Sequence, residues 1–127
     1  MKKILITGGA GYLGSRLCDY FVQKGYIVTA IDNLFHKKNT INHLLINKNF
    51  NFILGDVRDN YLIETEIKKS DVIFPLASLV GAPLCEKYQK ETYEINELSI
   101  INLKKNLSKD QIVVFPTTNS GYGITDK

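Results

Sequence analysis

The sequence predicts an α/β domain, a doubly wound parallel sheet of five strands in the order 3-2-1-4-5 with helices on both faces. Three observations predict it. Short apolar runs alternate with segments of helical periodicity, which implies right-handed crossovers and a parallel sheet. The runs are nearly continuous in apolar residues, as strands buried on both faces require. The glycines, prolines and carboxylates that interrupt the pattern fall where strands end, at 8–14, 32, 55–56, 75–78 and 116–123. Loops at those ends share one crevice near the switch point between the first and fourth strands, where ligands of such sheets bind.

Ile4, Leu5, Ile6 and Thr7 form the first strand, which breaks into a glycine-rich turn. The glycines fit two registers: Gly8, Gly11 and Gly14 in the wider spacing, and Gly9, Gly11 and Gly14 in the tighter one. Gly8 and Gly9 permit the tight turn, Gly11 lets backbone approach phosphate oxygens, and Gly14 lets the following helix lie close to the strand. The free N–H groups of the first helical turn then face the phosphates of a dinucleotide. The plain alternative is a glycine-rich connector between strand and helix. A helix follows, with Leu13, Leu17, Cys18, Phe21 and Val22 at core spacing.

The second strand, 26–31, ends at Asp32. A carboxylate there can accept both hydroxyls of an adenosine ribose and repel a 2′-phosphate, so the expected cofactor is NAD rather than NADP. An exposed turn residue before Asn33 is the other reading of Asp32, and His36-Lys37-Lys38 nearby is the counter-signal for a phosphate. A polar stretch runs to Asn39, and Ile41, Leu44, Leu45 and Ile46 suggest a short helix.

Phe50 to Leu54 is the third strand, ended by Gly55-Asp56. Asp56 can accept a hydrogen bond from the exocyclic amine of an adenine, and Val57 offers a backbone N–H and an apolar wall. Alternatively Asp56 caps the helix expected over 61–68, with Asp59 as competitor for that role. The fourth strand, 71–74, is stopped by Pro75; Leu76, Ala77 and Ser78 are suited to backing a ribose and nicotinamide, although a loop chosen for compactness reads the same way. A loop to Pro83, a long helix from about Lys90 to Leu107 (Ile95, Leu98, Ile101 and Leu103 apolar) and a fifth strand, 112–115, complete the order.

Composition excludes several classes. With 127 residues, 44% hydrophobic and 23% charged, the chain is one domain at most, with a real core. The net charge of +3 is dispersed, and its paired lysines lack interleaved aromatics, so no nucleic-acid partner is expected. No segment has the length to span a bilayer, and no membrane partner is expected. Cys18 reads as a buried filler and Cys85 as a free thiol; two such cysteines suggest a reducing compartment and a cytoplasmic location. His36 and His43 read as solvated, without companions at metal spacing, and no metal is expected.

The chain also resembles the extended short-chain dehydrogenase/reductases, specifically the NAD-dependent nucleotide-sugar epimerases and dehydratases, with UDP-glucose 4-epimerase-like members nearest in the first two motifs. The residues that carry the resemblance are 7–14 (Thr-Gly-Gly-Ala-Gly-Tyr-Leu-Gly), 32–34, 55–59, 76–81, Asn96 and 117–123. It implies a Rossmann-type fold, with Gly8, Gly11, Tyr12, Leu13 and Gly14 on the pyrophosphate and Asp32, Asn33 and Leu34 at the adenosine ribose. Asp56 and Val57 would meet the adenine, and Leu76, Ala77, Ser78 and Asn96 would belong to the cofactor neighbourhood. Thr118 takes the place of the catalytic Ser/Thr, whose hydroxyl bridges a sugar hydroxyl and a Tyr phenolate; without the resemblance, Thr117 and Thr118 read as hydroxyls bonding local backbone. Asn96 otherwise reads as a helix-surface residue.

Pro75 departs from the His that many members carry. The chain also stops at Lys127, before the family's Tyr-x-x-x-Lys position, its last strands and its sugar-binding region, and Tyr122 is no substitute because Asp126 lies four residues on. The expectation is therefore a C-terminally truncated NAD-binding domain over 1–127. It is the N-terminal part of a nucleotide-sugar epimerase or dehydratase, inactive alone, with a nucleotide sugar as substrate and a homodimer as a further expectation for the full-length protein. The alternatives are a non-catalytic dinucleotide-binding module and a reductase of the same fold.

Overall fold

The computed structural model describes residues 1–37 and 40–118. Its sheet comprises β1 (Lys3–Thr7), β2 (Ile27–Asp32), β3 (Phe50–Leu54), β4 (Val72–Pro75) and β5 (Ile112–Val113). They lie in the order β3-β2-β1-β4-β5, and every pairing is parallel. The predicted order is the observed one. Central β1 pairs Ile4 with Val28 on one side and with Val72 on the other, so the loops after β1 and β4 part at the switch point.

Alternation along the strands divides the core into two layers. Ile4, Ile6, Val28, Ala30 and Phe74 face one side, packed with Cys18 and Val22 of helix α1 (Tyr12–Gln23). Leu5, Ile31 and Ile73 face the other, packed with Ile63 and Ile67 of α2 (Asn60–Lys68) and with Leu103. Cys18 is fully buried, and burial pushes its thiol up to about 12.

Several elements differ from expectation. The apolar group at 41–46 forms only one 3₁₀ turn, Asn42–Leu44: Ile41 and Leu44 are buried, three residues apart as that geometry demands, while Leu45 and Ile46 face solvent. His43 on this turn pairs with Asp19 of α1 and is not simply solvated. The long helix begins earlier, at Ala82, where a loop is expected, because Gly81 (φ +93°) reverses the chain and Pro83 fits a first helical turn. It is also segmented, into α3 (Ala82–Lys87), α4 (Gln89–Tyr93), a π turn (Glu94–Leu98) and α5 (Ser99–Lys105). The fifth strand is shorter than predicted. Val114 N–H still reaches Ile73 O at 3.0 Å, but Val114 and Phe115 are exposed and Pro116 cannot donate to a ladder.

Candidate functional site: the crevice at the carboxyl ends of the strands

A crevice of about 350 Å³ opens at the carboxyl ends of β1 to β4, within the size range of small-molecule sites. The loop between β1 and α1 forms its floor. Gly8 adopts φ +71° and its amide donates to Ile31 O at 2.7 Å; the Gly9 amide reaches the same carbonyl at 3.2 Å. A Cβ on Gly8 would lie 2.8 Å from Ala77 N, so the β1 and β4 loops meet at a distance only glycine allows. Gly11 is the extended residue preceding α1, and the first intrahelical bond runs from Ser15 N–H to Gly11 O. The amides of Tyr12, Leu13 and Gly14 precede that bond, have no helical acceptor, and belong to residues lining the crevice. Leu13, which shares the helical spacing of the core-facing residues and is also expected at the pyrophosphate, borders the crevice and is 49% exposed.

Asp32 ends β2. Its Oδ2 accepts from the Ala10 amide at 3.0 Å and its Oδ1 from the Leu34 amide at 2.8 Å. Each oxygen keeps one further acceptor position, enough for a pair of hydroxyls. The carboxylate therefore also braces the glycine loop, which spacing alone did not indicate. Thr40, unnoticed in the sequence, braces the other side, donating from its hydroxyl to Ala10 O at 2.7 Å. Asn33, Leu34, Phe35, His36 and Lys37 continue the wall; Leu34 and Lys37 hold positive φ, +56° and +50°.

Asp56 and Val57 line the crevice on the β3 side. Asp56 is not the helix cap; Asp59 is, accepting from the Leu62 amide at 3.0 Å. Oδ1 of Asp56 accepts from Arg58 N and Nε, both at 2.9 Å, and Oδ2 from Arg58 Nη2 at 2.7 Å and Asn33 Nδ2 at 3.1 Å. The side-chain hydrogen bonds of Arg58, ahead of its charge, hold the Asp56 carboxyl down at about 2. Arg58 lies in the 55–59 motif, but its place there carries no sign of this fork. A depressed carboxyl contributes stability above its unfolded value, near 3.8, and loses it as pH falls through about 2. Solvent screening leaves about 1 kcal/mol at this half-open site. Urea unfolding at pH 5 and pH 2.5 should therefore show a smaller acid loss in Arg58→Met than in wild type; equal losses would remove the pair from the acid limb.

Leu76, Ala77 and Ser78 line the other end, joined by Leu79 and Val80 of the same motif and by Ile95, expected only as an apolar helix position. The Ala77 amide leans on Thr7 Oγ1 at 3.4 Å. Asn96 is neither a helix-surface residue nor part of the lining. It lies half-buried in the π turn, where Oδ1 accepts from the Leu79 amide at 2.8 Å and Nδ2 donates to Leu79 O at 2.7 Å. It acts on the crevice by holding this loop rather than by lining it.

Thr118, the expected catalytic hydroxyl, is exposed and is not among the residues that line the crevice. Tyr122 and the rest of the 119–123 motif fall outside the described residues, as does Lys38. Tyr20 and Lys24 have the Tyr-x-x-x-Lys spacing, but both sit on or next to α1 and neither lines the crevice. Among the described residues no helix is long and apolar enough to cross a membrane.

A glycine loop, a carboxylate after β2 and a loop after β4 meeting at the switch point are the arrangement of a dinucleotide-binding α/β domain. The chain belongs to the NAD dependent epimerase/dehydratase family, which it matches over residues 4–127. It is 32% identical over 123 residues to a UDP-N-acetyl-alpha-D-glucosaminuronate decarboxylase of Bacillus cytotoxicus, covering 96% of this chain and 38% of that protein. To a UDP-glucose 4-epimerase of Halalkalibacterium halodurans it is 32% identical over 126 residues, covering 94% and 36%. Among solved structures, dTDP-glucose 4,6-dehydratase of Bacillus anthracis, in complex with NAD, superposes with a TM-score of 0.81 at 25% identity, covering 100% of this chain and 41% of that one. The chain thus spans well under half the length of these relatives.

Proposed function

We propose that residues 1–127 form the NAD-binding portion of a nucleotide-sugar epimerase or dehydratase. The observation that carries this reading is the convergence of four loops on one crevice whose floor only glycine can form. The residues present fit the cofactor. The first-turn amides of α1 and the close-packed Gly8–Gly14 loop suit a pyrophosphate, and the spare acceptor positions of Asp32 suit the ribose diol. Asp56 and the Val57 backbone suit the adenine, and Leu76, Ala77 and Ser78 suit the nicotinamide end. NAD, when bound, supplies a hydride acceptor for a sugar carbon. This chain's share of the work is to bind and orient the cofactor, with the apolar side chains of Leu13, Val80 and Ile95 flanking the crevice.

Two titrations test the reading. NAD should bind residues 1–127 more tightly than NADP, and Asp32→Ala should narrow the gap while weakening both, because the Ala10 amide loses its acceptor. Calorimetry showing NADP bound equally well or better by wild type overturns the assignment of Asp32. The sugar chemistry is tested separately, with UDP-glucose or UDP-galactose. We expect the 127-residue chain to bind NAD without epimerising either sugar, since among the described residues neither Thr118 nor a pair at Tyr-x-x-x-Lys spacing lines the crevice, and losing a positioned base costs about 10²–10⁴ in rate. Turnover abolished by Thr118→Ala would show that expectation to be wrong. The same two facts favour the second reading, a non-catalytic dinucleotide-binding module, and a chain that binds NAD but never acquires turnover when its downstream sequence is joined would establish it.

A further inference from the structure

Arg58 joins two parts of the molecule that the crevice otherwise keeps apart. Its Nε and Nη2 fork onto Asp56 at the adenosine side, while Nη1 donates to Glu94 Oε2 at 3.1 Å. Glu94 opens the π turn Glu94–Leu98, a conformation rare in helices and concentrated at functional sites. Two residues later Asn96 holds both backbone groups of Leu79. Residues two apart on a helix point in different directions, which is how one turn engages the Arg58 loop through Glu94 and the 76–80 loop through Asn96. Ile95, between them, is buried and lines the crevice. Hydrogen bonds therefore lead from Asp56 through Arg58 to Glu94, the backbone of the π turn carries the path from Glu94 to Asn96, and hydrogen bonds complete it to Leu79. The other partner of Glu94, Lys90, stands off at 3.8 Å. A small cavity of about 200 Å³ borders Arg58, Glu94 and Asn102, so packing does not enclose the ion pair on that side.

We propose that Arg58 is a positioning residue that couples the two ends of the crevice: filling the adenosine end steadies Asp56 and Arg58, and through Glu94 and Asn96 it orders the 76–80 loop before the nicotinamide end is occupied. The proposal rests on the dinucleotide reading of the crevice. The planar fork of arginine suits the task, because it can hold two carboxylates at once in a fixed geometry, whereas lysine offers a point charge.

ADP provides the probe, since it carries the adenosine and diphosphate and has nothing to place at the 76–80 loop. Amide hydrogen exchange is read at Leu79 with ADP at saturating concentration for each protein. ADP should slow exchange at Leu79 in the wild-type chain about fivefold or more, the lower range of measured couplings between sites. Glu94→Ala should bind ADP and lose that slowing, and Arg58→Lys should lose it too. Glu94→Gln, whose amide oxygen still accepts from Arg58, should retain it. A general loss of stability would raise exchange across all strands, with and without ADP, and would not single out the ADP-dependent change. The coupling is overturned if Glu94→Ala keeps the full slowing, or if saturated wild type shows none. A wild-type chain giving no calorimetric signal with ADP fails one step earlier, at the dinucleotide reading itself.

Discussion

Gly14→Val should deprive the chain of a stable native state. A Cβ at position 14 falls on the carbonyl of Gly8 and lies 2.9 Å from Gly9 Cα, both backbone. Neither can give way, because the Gly8 and Gly9 amides are tied to Ile31 O in the adjacent strand. Valine adds two methyls and a β-branched restriction in the first helical turn. Overpacking against fixed backbone costs about 3 kcal/mol or more, a large share of the roughly 5–15 kcal/mol that holds an ordinary domain together. Urea titration followed by circular dichroism measures it. A midpoint unchanged from wild type would mean that the loop and helix are not packed as described.

Gly11→Val should do the opposite: fold normally and bind no dinucleotide. Gly11 sits in an extended conformation, φ −75° and ψ 177°, which valine adopts readily. Its Cβ would meet only Gly8 O, at 3.1 Å, a contact relieved by a small shift. The branched side chain would then stand at the entry to α1, before the amides a pyrophosphate needs. Calorimetric titration with NAD should show no saturable heat, beside a wild-type unfolding midpoint. A mutant that folds and binds NAD as wild type does would move the pyrophosphate elsewhere.

These glycines show how much of the site was legible in the sequence. The motif spacing located the loop, and the apolar runs located every strand, since both depend on local chain chemistry. Strand order followed from the alternation of strands and helices and the handedness rule. The interactions that arm the site were not legible, because they join residues distant in sequence. Nothing in the order of residues says that Thr40 holds Ala10 O, or that Arg58 reaches Glu94 as well as Asp56. The long helix misled because its apolar periodicity, read from about Lys90, neither reaches back to the helical start at Ala82 nor registers the π turn.

The double duty of Asp32 bears on any attempt to alter cofactor choice. The carboxylate that would discriminate at the ribose is also the acceptor that fixes Ala10 within the phosphate loop. Selectivity and preorganisation are therefore a single variable at this position. On the proposed reading, a substitution that admitted a 2′-phosphate would also remove the acceptor that fixes Ala10 and so loosen the glycine loop. A redesign that spares affinity would leave Asp32 in place and recruit the phosphate with the neighbouring wall, where His36 and Lys37 already border the crevice without bracing the loop.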